Sequence, residues 1–163
     1  MKLYLVPLFA LLLACRPAGA IGPHSVPVPI RHLGPATGLP IVFSGLALAT
    51  RTVVADQAAF DSLWRQAFTN PGGETPPPPN VDFTRFKVVF VALGEKPSGG
   101  HAISVTGAVR VADELVIEVE SVKPGNCPTM AVMTQPMDVV EIPRPAANVL
   151  VRFAERTRIS PCP

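Results

Sequence analysis

From Ala58 to Phe68 the apolar residues Phe60, Leu63, Trp64, Ala67 and Phe68 alternate in steps of three and one, with Asp61, Arg65 and Gln66 between them. That spacing lays one stripe along an α-helix. Asp56 stands just before it as a predicted N-cap, and Asn70, Pro71, Gly72 and Gly73 stop it. Elsewhere the period is two. RTVV at 51–54 predicts a strand, and Phe86–Leu93 is apolar on both faces, which predicts a central strand covered by the helix. Residues 101–110 and 114–121 predict a hairpin around Ala112 and Asp113, with Leu115, Ile117 and Val119 inward and Glu114, Glu118 and Glu120 outward. Asp138–Ile142 and Asn148–Phe153 add two strands beyond it. Between Pro29 and Leu48, short apolar pieces broken by Gly34, Pro35, Gly38 and Pro40 predict edge strands and turns. The fold class is α+β: mostly antiparallel sheet with one packed helix, in a single small domain.

The first residues change the picture at the amino end. Leu3 to Ala14 is an unbroken apolar run after Lys2, too short for a membrane span and suited to an export signal. Leu12, Leu13, Ala14 and Cys15 resemble a bacterial lipobox, which makes Cys15 the lipidated first residue. Ala18-Gly19-Ala20 offers a second cleavage site, which would give a secreted or periplasmic form. On the first reading, residues 1–14 are a lipoprotein signal peptide, 15–29 a Pro-rich tether carrying Pro17, Pro23, Pro27 and Pro29, and 30–163 the folded domain. The expected location is the cell envelope, held to the membrane only through the lipid.

Cleavage before Cys15 leaves 163 − 14 = 149 residues with a formal charge of 13 − 12 = +1, since Lys2 is lost from 14 basic residues against 12 acidic ones. Such a chain, without a basic cluster, lacks the electrostatic footprint that nucleic acid requires. An exported chain also reaches a compartment where disulfides persist. Cys127 and Cys162 then have one pairing open to them, closing about 35 residues and worth roughly 3 to 4 kcal/mol in the chain-entropy account. The rival role, a thiol nucleophile, needs a histidine partner and an unpaired cysteine.

The sequence VVFVALGEKPSGGH at 88–101 poses the sharpest chemical question. Gly94 and Gly99 carry the glycine spacing of a P-loop, but Gly100 and His101 stand where its lysine and hydroxyl residue belong, and AISVTGAVRV after them has the period of a strand. A loop between two strands fits better, with Gly99 and Gly100 supplying positive φ or a side-chain-poor docking surface. His24, His32 and His101 are scattered, and no metal-ligand spacing is present. No G-x-S-x-G occurs, although Ser98, His101 and an aspartate could meet in space. The alternating glutamates of the hairpin read as a solvated face, and Pro76 to Pro79 as a stiff connector or a polyproline ligand.

FDSLWRQAF, PNVDFTRFKVVFVALGEKPSGGHAISV and TQPMDVVEIPR together resemble the PrcB-like family of protease complex subunits, from about Val53 to Phe153. The most specific matches are Val81, Asp82 and Phe83, the loop from Gly94 to Gly100, and Pro136 with the following VVEIP. One departure is His101, where relatives commonly place a tyrosine after the paired glycines. The resemblance implies a noncatalytic, exported accessory protein that associates with a protease and supports it, with no cofactor and no metal. The partner-binding residues expected on this reading are Pro97, Ser98, Gly99, Gly100 and His101. A protease inhibitor that inserts the loop 94–101 into an active-site cleft is the alternative.

Overall fold

The computed structural model describes residues 25–34, 41–69, 73–126 and 128–161. In chain order the elements are β1 (Ser25–Pro27), β2 (Arg31–His32), β3 (Ala49–Val54), α1 (Gln57–Phe68), β4 (Phe86–Leu93), β5 (Ala102–Val111), β6 (Glu114–Pro124), β7 (Met137–Pro143) and β8 (Leu150–Ser160). They build two four-stranded sheets, ordered β1-β5-β6-β8 and β2-β7-β4-β3. Every pairing is antiparallel except β6 with β8, which run parallel over their whole lengths.

The two-faced apolar pattern of β4 sets the layers. Val89 and Val91, with Val140 and Ile142 of β7, face Ile103, Val105, Leu115, Ile117 and Val119 of the other sheet. Val88, Phe90 and Ala92 face the opposite way, against Phe60, Trp64 and Ala67 of α1. The order is therefore sheet, sheet, helix, and β4 is buried on both sides as its composition predicts. Asp56 caps α1, its carboxylate accepting from the Ala59 N–H at 2.9 Å. Phe60 lies 5.7 Å from Phe83 and 6.1 Å from Phe90, tilted to both, which knits helix to sheet. The turn into β4 explains the VDF signature: Val81 is core, Phe83 packs on Phe60, and Asp82 accepts from both the N–H and the hydroxyl of Thr84. Those two bonds hold the Asp82 carboxyl below the usual carboxylate range.

The proline run lies on the surface, with Pro76, Pro77 and Pro78 exposed, and is tied to the helix. The Trp64 indole N–H donates to the Pro76 carbonyl at 2.8 Å, and Trp64, Phe68, Leu33, Pro77 and Pro79 line a small apolar cleft. The chain thus docks its own proline segment on its helix, by the contact aromatic grooves use for such segments.

Two boundaries differ most from the sequence reading. Ser25–Pro27, placed in the tether for its prolines, is β1, paired with Val111 to Val109 of β5. It is an edge strand, where Pro27 withholds no ladder bond from an inner neighbour. The last strand continues past Phe153 to Ser160. Polar pairs tie the two sheets together and brace β2 on β7. Asp138 of β7 accepts from the Val105 N–H on β5 at 2.8 Å, beside the bulge between Val105 and Gly107. Glu141, nearly buried, receives both Nε and Nη2 of Arg31 at 3.1 and 2.7 Å. Arg51 of β3 reaches Glu155 of β8 at 2.5 Å and closes one open side of the sandwich.

Candidate functional site

The stretch 94–101 leaves β4 and enters β5 directly, and a strand rather than a helix follows it. Three of its N–H groups are bonded within the domain. Glu95 donates to the Ala47 carbonyl at 3.0 Å, Lys96 to Thr134 at 2.8 Å and Gly99 to Met130 at 3.0 Å. Pro97 has no N–H to give. The buried Thr134 hydroxyl donates to the Ser98 carbonyl at 3.0 Å, and the Thr134 N–H to Lys96 at 2.9 Å. An anion cradle needs converging vacant donors at a helix start. No helix starts after this loop, so the P-loop spacing lacks the element that phosphate binding needs.

Each glycine of the loop answers to different physics. Gly94 has φ +70°, and a Cβ there would lie 2.8 Å from both Ala47 O and Ala49 N, so backbone packing demands glycine. Gly100 has φ +81° and makes the turn into β5. Gly99 is not in the left-handed region, and its nearest neighbours would sit at an ordinary 3.8 Å from an added Cβ. The sequence reading gave Gly99 and Gly100 one shared turn role; only Gly100 has it.

The structure brings Pro97, Ser98, Gly99, Gly100 and His101 together at one end of the sandwich. Pro97 and Gly100 are exposed, while Ser98, Gly99 and His101 are half-buried. Partial burial pushes the His101 imidazole below its ordinary pKa, and the nearby charges of Lys96 and Lys123 push it the same way.

The rim of this loop was not legible in the sequence. Segment 41–48 bonds to it through Ala47 and to Gln135 through Val42, and segment 128–135 bonds to it through Met130 and Thr134. Those two segments carry Phe43, Leu48, Met130 and Met133, exposed by 63, 81, 74 and 47 %. They are four of the seven large apolar side chains most exposed among the described residues, collected at one end. An open cleft of about 460 Å³ lies beside them, between Phe43, Ser44, Phe68, Thr69 and Gln135. Exposed apolar side chains gathered in this way are a candidate contact surface, and methionine and phenylalanine are residue types that can adapt to and anchor a partner.

Cys15, Cys127 and Cys162 lie outside the described residues. Among the described residues no group of three His, Cys, Asp or Glu side chains could hold a metal ion, and no helix is long and apolar enough to cross a membrane.

Fold and site thus define an α+β domain that presents a pinned, side-chain-poor loop in an apolar rim. Residues 87–143, from β4 through the loop, β5, β6 and the 128–135 segment to β7, match the family model described as PrcB C-terminal. The PrcB-like resemblance holds over that segment. No curated protein and no solved structure matches the chain.

Proposed function

We propose that this protein is an exported, noncatalytic docking module that associates with a protease complex through the 94–101 loop and its rim. The observation that carries the reading is the gathering of Phe43, Leu48, Met130 and Met133 on the two segments that hydrogen-bond to the loop. The PrcB C-terminal match supplies the partner class. The pinned state of the loop favours surface docking over insertion into a catalytic cleft, because the Gly99 N–H and the Ser98 carbonyl are already engaged within the domain.

Envelope anchoring through Cys15 belongs to the same proposal. Ser25 registers with Val111, at the end of β5 remote from Gly100. With about 3.3 Å of rise per strand residue, a tether arriving at Ser25 holds the docking end roughly 30 Å further from the membrane.

The test is crosslinking in the native envelope with the wild-type protein and two variants, Gly99→Arg and Met130→Glu/Met133→Glu. Recovery of a protease with the wild type, lost with both folded variants, is the expected result. Recovery unaffected by either variant would remove the loop end from the interface, and inhibition of that protease by the purified domain would favour the inhibitor reading.

A further inference from the structure

We infer that the outer edge of β8 receives an extended, acidic segment of a partner protein as an added strand. β8 spans eleven residues at the margin of its sheet, and among the described residues no strand pairs with its outer side. A strand margin of this length presents a row of peptide groups that a further chain can complete.

The side chains decide which chain. Opposite positions of paired strands lie on one face, and the parallel register with β6 assigns those faces. Val151, Phe153, Glu155 and Thr157 share the inner face with Leu115, Ile117, Val119 and Ser121. Leu150, Arg152, Ala154, Arg156 and Arg158 share the outer one. Each charged residue on the outer face of β8 is therefore an arginine. Glu120 of β6 serves two of them, at 2.9 Å from Arg156 and 3.4 Å from Arg158, and Glu114 lies 3.3 Å from Arg152. Glu118 leans the other way, over Gly107 on β5, where its carboxylate would sit 2.7 Å from an added Cβ. Two carboxylates thus face three guanidinia, and the margin keeps positive charge.

A second copy of the chain does not fit. Antiparallel self-pairing needs residues of the same face opposite one another, so the two numbers of a pair must sum to an even value. The three longest such registers oppose 150 to 160, 150 to 158, or 152 to 160. The first sets Arg152 against Arg158 and Glu155 against itself, the second sets Arg152 against Arg156, and the third sets Arg156 against itself. Like charges directly opposite are destabilising, whereas a strand with Glu or Asp at alternate positions meets all three arginines favourably. On the inner side, Val151 and Phe153 ask for apolar residues between the acids.

These residues do not include the loop 94–101, so this inference and the proposed docking of that loop fail separately. The probe is a capped peptide of about ten residues alternating valine and glutamate, with a valine-lysine peptide as control. Titration into the intact protein, followed by amide exchange, is expected to slow exchange in Leu150–Ser160. The glutamate peptide should bind about tenfold tighter than the control or better, given three favourable cross-strand pairs. Arg156→Glu, at the most exposed of the three arginines, should narrow that preference, and Met130→Glu should leave it unchanged. Equal binding of both peptides, or protection away from β8, overturns the inference. So does sedimentation of the protein alone as a dimer whose β8 amides are protected.

Discussion

Gly94 and Gly99 sit five residues apart in one loop and should respond very differently to the same substitution. Gly94→Ala forces a left-handed backbone and a 2.8 Å approach to two backbone atoms, so a loss of about 2 kcal/mol or more is expected in denaturant titration. Gly99→Ala should change stability by less than about 0.5 kcal/mol. A large loss there would mean that Gly99 is required by packing and not available as surface. His101 gives a second residue-scale test. Burial and two lysines lower its folded pKa from the usual 6.5, so the unfolded chain binds the proton more readily. The sign follows: stability is full above pH 6.5 and falls as the pH drops through 6.5 toward the lower folded value. Relative to His101→Gln, the wild type should lose stability as the pH falls below 6.5. Parallel curves for the two proteins would show that His101 titrates as it does in the unfolded chain.

At the scale of elements, α1 was legible because its stripe, its cap and its stop signals agree, and β4 because an apolar run of that length fits only a strand covered on both faces. β8 was cut short for a physical reason. It is a margin strand whose inner face turns from Val151 and Phe153 to Glu155 and Thr157, so no apolar alternation marks its second half. β1 was hidden by prolines that an edge strand accepts. The docking of Pro76 on Trp64 had no signature either, since it joins a helix to a loop through one indole donor. Trp64→Phe deletes that donor and leaves the Pro76 carbonyl without it, while keeping an aromatic ring on Phe60. A destabilisation of about 1 to 2 kcal/mol is expected by circular dichroism melts. Unchanged stability would make the proline segment a passive connector after all. The loop residues 97–101 were found by their glycines, whereas Phe43, Leu48, Met130 and Met133 lie in segments without periodicity and only the fold assembles them.

For the whole molecule, the parallel pairing of β6 with β8 carries consequences for both ends. Parallel strands need a crossover, supplied here by the 128–135 segment, β7 and residues 144–149, so the chain returns to the loop end only at its last residues. There the register sets Pro124 opposite Ser160. In the sequence Cys127 follows Pro124 by three residues and Cys162 follows Ser160 by two. The disulfide expected between them from the sequence lies outside the described residues. A bridge closing about 35 residues would contribute roughly 3 kcal/mol through the unfolded chain. It would also hold the end of β8 beside the 94–101 loop, since an added Cβ on Gly100 would already touch Pro124 at 3.1 Å. Cys127→Ala should therefore lower the thermal midpoint and speed amide exchange first near Ser160, before the core strands β4 and β7 respond. Mass measurement of the untreated protein should find no free thiol on either cysteine. If both thiols are free in protein taken from its native compartment, or if Cys127→Ala melts and exchanges as the wild type does, the tie is absent and β8 is held by its ladder with β6 alone.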